Sequence, residues 1–98
     1  MDEVQVDVLR RHLSDFVARA EAGATFVLLR HGHPVALLGP PSPDIAGRPL
    51  GVSRFRASLR RSIGRATQEP IRITYRGRTV AIVAPISESV EERWLDLA

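Results

Sequence analysis

The 98-residue chain predicts an α+β fold in which two tandem strand-helix-hairpin units share a mainly antiparallel sheet packed against helices. Three observations predict it. Nine identities recur in order along the chain at two neighbouring offsets. Each copy places a helical stripe of apolar residues ahead of two short apolar runs that flank a glycine. The apolar fraction, 44%, belongs to packed globules and lies far above that of chains too polar to fold.

The repeat is read residue by residue. Val6, Arg10, Leu13, Arg19 and Ala20 return 46 places later as Val52, Arg56, Leu59, Arg65 and Ala66. Gly32, Val35, Ala36 and Pro40 return 45 places later as Gly77, Val80, Ala81 and Pro85. One residue lost at the end of the helix reconciles the two offsets. This ordered self-similarity predicts a duplicated folding unit.

In the first unit, residues 1–40, Leu9, Leu13, Phe16, Val17 and Ala20 fall on one helical face. Asp7 is the expected N-cap and Gly23 the expected stop. Phe26 to Leu29 and Val35 to Leu38 then flank a turn at His31-Gly32, where glycine accepts the positive φ of a tight hairpin. In the second unit, residues 52–85, Phe55, Leu59, Ile63 and Ala66 repeat the stripe, Ser53 is the expected cap and Pro70 bars continuation. Gly64, inside this helix, costs about 1 kcal/mol against Ala, which makes the helix lean on tertiary packing. Ile71, Ile73 and Tyr75 alternate with Arg72, Thr74 and Arg76, which predicts an apolar and a polar strand face before the turn at Gly77. A lone helix and hairpin bury too little surface to stand alone; two units can complete a shared sheet.

Between the units, residues 41–51, with Pro43, Gly47, Pro49 and Gly51, are expected to form a semi-rigid linker. The acidic tail, 86–98, has Val90, Trp94 and Leu97 at helical spacing and is too short to be a stable helix by itself. Trp94 therefore packs on the chain's own core or anchors a partner; Val90, Trp94 and Leu97 are the candidate protein-binding residues.

Charge is distributed unevenly. Residues 1–47 carry four Arg against six acids, 48–85 nine Arg against Glu69 alone, and 86–98 Arg93 against four acids. An arginine-dense middle followed by an acidic end points to a polyanion-binding face and a tail that avoids it. All 14 basic residues are Arg, whose rigid fork suits phosphate and guanine edges. A GC-rich genome would also favour Arg over Lys, though it would not cluster the residues.

Other chemistries find little footing. Cysteine is absent, so disulfides and thiolate metal sites are excluded. His12, His31 and His33 have no cysteine to complete a zinc set, and no metal or other cofactor is expected. No nucleophile pattern accompanies them, Asp7, Asp15 and Glu21 share only ordinary helix spacing, and Thr74 and Tyr75 read as sheet residues, so an enzyme is not expected. The apolar runs are too short for a membrane span, and Met1-Asp2-Glu3 is acidic where a secretory leader would be basic, which predicts a cytoplasmic protein.

Residues 6–40 resemble the N-terminal domain of the Phd/YefM family of bacterial type II antitoxins. Arg10-Arg11-His12-Leu13-Ser14 matches the family's Arg-x-x-Leu-Ser helix element, Glu21-Ala22-Gly23 its acidic-Gly stop, and Arg30-His31-Gly32-His33-Pro34-Val35-Ala36 its hairpin. The second unit matches through Arg56-Ala57-Ser58-Leu59 and through Thr74-Tyr75-Arg76-Gly77-Arg78-Thr79-Val80-Ala81. The resemblance implies a strand-helix-hairpin fold whose paired copies bind operator DNA, repress their own toxin-antitoxin operon and silence a toxin with a C-terminal segment. It implies DNA contacts from the helix arginines, Arg10 and Arg56, and from basic residues around the hairpin. Here a second unit stands where the family carries its long tail, and Leu29, His31 and His33 depart from the family's hairpin.

The expected partners are therefore double-stranded operator DNA and a cognate toxin, with the units pairing inside one chain as a pseudo-dimer or between chains as a homo-oligomer. Arg10, Arg56, Arg60, Arg61, Arg76 and Arg78 are the expected DNA contacts, most of them to phosphates. Two alternatives compete: a module that binds a toxin or other protein without specific DNA binding, and a stand-alone transcriptional regulator with no toxin.

Overall fold

The computed structural model describes residues 1–97, and the side chains of residues 1–95. Its elements are β1 (Asp2–Gln5), α1 (Val6–Arg11), α2 (Leu13–Glu21), β2 (Phe26–Arg30), β3 (His33–Gly39), β4 (Arg48–Gly51), α3 (Val52–Ala57), α4 (Leu59–Ala66), β5 (Ile71–Tyr75), β6 (Arg78–Ala84) and α5 (Glu88–Leu97). Six strands form one sheet in the order β1-β2-β3-β6-β5-β4. The outer pairs β1-β2 and β4-β5 are parallel, and the inner three pairs are antiparallel.

Residues 2–39 and 48–84 follow the same path. Asp2 pairs with Phe26 and Arg48 with Ile71; the hairpin bulges fall between Leu28 and Leu29 and between Ile73 and Thr74. The hairpin turns match in dihedral angle: His31 and Gly32 have φ of 51° and 79°, Arg76 and Gly77 of 51° and 78°. Two successive positive φ values define the type I′ turn, whose twist suits a two-residue hairpin loop. The two halves meet at β3 and β6, inside one chain.

The sheet lies between two unequal layers. Leu9, Leu13, Phe16, Phe55, Leu59 and Ile63 of α1–α4 pack on Phe26, Leu28, Leu38, Ile73, Ala81 and Val83. Strand residues alternate faces, so Leu37, Ile82 and Ala84 point the other way, onto Ile45, Val90 and Trp94. The Trp94 indole N–H donates to the Pro40 carbonyl at 2.9 Å, and its ring lies so close to Gly39 that an added Cβ would sit 2.6 Å from Cε2. The Ser87 hydroxyl caps α5, accepting from the Val90 N–H at 3.2 Å.

Several expectations are corrected. Each apolar stripe runs along two short helices, because the backbone turns at His12 (φ −127°, ψ 35°) and at Ser58 (φ −123°, ψ 34°). Gln5 and Gly51 occupy the N-cap positions, with Asp7 and Ser53 one residue inside the helices, and neither cap makes a side-chain hydrogen bond. The expected linker, 41–51, ends in strand β4; its Pro49 is tolerated because an edge strand leaves one side unpaired. Tyr75, next in the alternation after Ile71 and Ile73, is 48% exposed because it ends β5 beside the turn, and the bulge that shifts the register here is at Val80 of β6. Arg72 is half-buried, donating from Nε to the Gly47 carbonyl at 2.9 Å and from Nη1 to Thr79 Oγ1 at 2.9 Å.

No described helix is long and apolar enough to cross a membrane.

Candidate nucleic-acid interface

The helical layer concentrates positive charge. Helices α1–α4 carry eight Arg against Asp7, Asp15 and Glu21, whereas α5, on the other side of the sheet, carries Arg93 against Glu88, Glu91, Glu92 and Asp96. Apolar residues face the sheet, so the charged ones are left outward on the same helices.

Three of the six arginines expected to bind DNA fall in two contacts between the helix pairs, related to each other by the repeat. Arg56 of α3 donates from Nη2 to the Ser14 hydroxyl of α2 at 2.7 Å. Arg10 of α1 and Arg60 of α4 line one hollow of about 530 Å³ together with Gln5, Asp7, Arg30 and His31. Arg10 and Arg56 are 46 residues apart, as are Ser14 and Arg60. The Arg56–Ser14 contact and the Arg10–Arg60 hollow are therefore the same place in the two halves. Residues 10, 14, 56 and 60 form a quartet where the two helix pairs meet. Arg30 Nη2 reaches the Arg60 carbonyl at 3.5 Å, a long contact that ties the first hairpin to α4.

The guanidinium groups of the quartet are exposed. Among the described residues the ion pairs are Arg78–Glu21 at 2.9 Å and Arg93–Asp44 at 3.8 Å. No described carboxylate thus neutralises Arg10, Arg30, Arg56 or Arg60 at bonding distance, and the donors that Arg56 does not give to Ser14, or Arg30 to the Arg60 carbonyl, are open to an external anion.

The other three expected contacts lie elsewhere. Arg76 occupies the second hairpin turn, its guanidinium 5.2 Å from the centre of the Tyr75 ring. Arg78 is paired with Glu21, at the end of α2 farther from Ser14. Arg61 lines a separate groove of about 340 Å³ with Arg48, Arg54 and Arg65 on its margin and Leu50, Ala57 and Ile71 among its apolar walls. That groove exists because Ser62 takes the place of the first unit's Phe16, whose ring packs edge-on against Phe26 at 5.3 Å.

Ser14 and Arg30 were not singled out from the sequence. The repeat offset carries the signal for Ser14, which stands 46 places before Arg60. For Arg30 the cue was its place at the start of the hairpin, around which the resemblance implies basic contacts to DNA.

Of the two alternatives for Trp94, the structure shows packing on the chain's own core. Val90 and Trp94 are buried against the chain's own sheet, 8% and 4% exposed, because the sheet face opposite α1–α4 would otherwise leave Leu37 and Ile82 uncovered. The Leu97 side chain lies outside the described ones. His31 and His33 flank the first turn, and among the described residues no three His, Cys, Asp or Glu side chains converge as a metal site would require.

Fold and surface define a mixed α+β protein with one sheet held between an arginine-rich helical layer and an acidic helix. No protein-family model, curated protein or solved structure matches the chain.

Proposed function

We propose that the chain is a sequence-specific DNA-binding regulator of the antitoxin type, a tandem Phd/YefM-like protein in which one polypeptide supplies both halves of the DNA-binding dimer. The observation that carries this reading is the quartet: Arg10 and Arg56, the arginines that the resemblance assigns to DNA, fall at equivalent points of two halves related by the β3–β6 pairing. A pair of basic elements related by an approximate twofold suits the approximate twofold of duplex DNA.

Arg10, Arg30, Arg56 and Arg60 bind phosphates in this reading, and Arg76 reaches the groove from its turn. Four phosphate contacts release enough counterions for log K to fall with log salt at a slope of about −3.6. The acidic outer side of α5 repels the duplex and so orients the helical layer toward it.

The test is an electrophoretic shift of the DNA upstream of the coding sequence across a salt series, with an unrelated duplex as control. The expected result is a shift that favours the upstream DNA and weakens steeply with salt. No shift at low salt overturns the reading, and equal shifts of both duplexes reduce it to electrostatic binding.

One observation favours a stand-alone regulator over one that also holds a toxin. The apolar side of the C-terminal helix is used inside the chain, whereas the family's C-terminal segment wraps its toxin. Co-purification of the tagged chain with the product of an adjacent gene would restore the toxin-binding role.

A further inference from the structure

We infer that the duplex bound by this chain is not a palindrome and is gripped in a single orientation. The inference rests on the DNA-binding reading above and names the kind of site that reading requires.

The backbone of the two halves is nearly interchangeable while the side chains offered to DNA are not. Strand registers, bulge positions and turn dihedrals coincide between the halves, so both dock in the same way at a fixed separation. At the shared centre the arginines are equivalent, Arg10 and Arg56. Around them the residues differ. Arg60 lies beside Arg10, but Ser14 lies beside Arg56 and is already hydrogen-bonded to it. Asp7 lies in the first turn of α1 where Ser53 lies in the first turn of α3. The first hairpin presents Arg30 and His31, the second Tyr75 and Arg76.

Arg30 and Arg60 bind phosphates, so base preference falls to the other differences, Asp7 against Ser53 and His31 against Arg76. An arginine fork takes guanine O6 and N7, a carboxylate accepts from cytosine N4, and a serine hydroxyl does either weakly. Arg30 rests on the Arg60 carbonyl beside its phosphate, whereas Arg76 stacks on the exposed Tyr75 ring at the tip of its hairpin and is offered to the groove. A homodimer must read one half-site twice, because both its halves are the same sequence. A chain that carries both halves is released from that constraint, and this one has diverged at the positions nearest its two central arginines.

The experiment is selection from a pool of random duplexes by the full chain, followed by binding to three synthetic sites: the selected one, a palindrome built from its left half, and a palindrome built from its right half. The expected motif differs from its own reverse complement, and each palindrome binds at least about tenfold more weakly than the selected site, the loss of one good base contact. A palindromic motif, or either palindrome binding as tightly as the selected site, overturns the inference and leaves the DNA-binding reading standing. Failure to enrich any sequence overturns both.

Discussion

Leu38 and Val83 face each other across the β3–β6 pair, and each is the other's counterpart at a separation of 45 residues. The neighbouring pairs, Leu37 with Ala84 and Gly39 with Ile82, exchange under the same relation. The approximate twofold axis of the molecule therefore passes through a single cross-strand pair, with neither side chain exposed to solvent. Both belong to the core beneath α1–α4, so this pair joins the halves and supports the helices that carry the arginine quartet.

Truncating that pair should loosen both halves at once. Leu38→Ala removes a wholly buried side chain and is expected to cost about 2–5 kcal/mol. Leu95→Ala, at a position 72% exposed, should stay within about 0.5 kcal/mol of the parent. Urea unfolding measures both. A small loss at Leu38 would mean that the joint between the halves is not packed as described.

Trp94 offers a second, optical measurement, because it is the chain's one tryptophan. A Cβ at Gly39 would lie 2.6–2.8 Å from three ring atoms. Gly39→Ala should therefore displace the indole, shift its emission to the red and cost about 1–3 kcal/mol through overpacking. Unchanged emission would show that α5 does not seat its ring there.

The glycines separate by backbone conformation. Gly64 is helical with open space where a Cβ would go, so Gly64→Ala should stabilise the protein by about 1 kcal/mol. Gly77 has φ of +78°, and Gly77→Ala should destabilise it by about 1–2 kcal/mol although nothing crowds the site. Thermal unfolding of the two variants should move in opposite directions.

What could be read from the residues follows their periodicity. The stripe from Leu9 to Ala20 and the turns at Gly32 and Gly77 were legible because helical spacing and positive φ leave marks in residue type. Strand β4 was not: its Arg48-Pro49-Leu50-Gly51 resembles a linker, and only its place 46 residues after Asp2–Gln5 marks it as the partner of β1. The bends at His12 and Ser58 were hidden because the apolar stripe runs through them without a break. Tyr75 looked like a core residue because alternation marks the face of a strand and not how far along it the core extends; it is the last residue of β5, beside the turn. In the candidate interface, the arginine cluster was visible from charge counts, but the sorting of Arg10, Arg56 and Arg60 from Arg61 and Arg78 depends on helix facing and on Glu21, neither of which spacing reveals.

That sorting predicts how single arginines affect DNA binding. Arg10→Ala and Arg56→Ala should each weaken binding and lower the magnitude of the salt slope by about 0.9, the share of one phosphate contact. Arg61→Ala, in the separate groove with Arg48 and Arg54, should leave the slope unchanged. Arg72→Ala serves as the structural control: it breaks the bonds to Gly47 and Thr79 and should lower the unfolding midpoint while sparing the slope. Titration of one duplex at four salt concentrations resolves these cases. If Arg61→Ala lowers the slope as much as Arg56→Ala does, the bound face extends past the quartet toward β4, and DNA must lie across the outer side of α4 as well as over the meeting point of the two helix pairs.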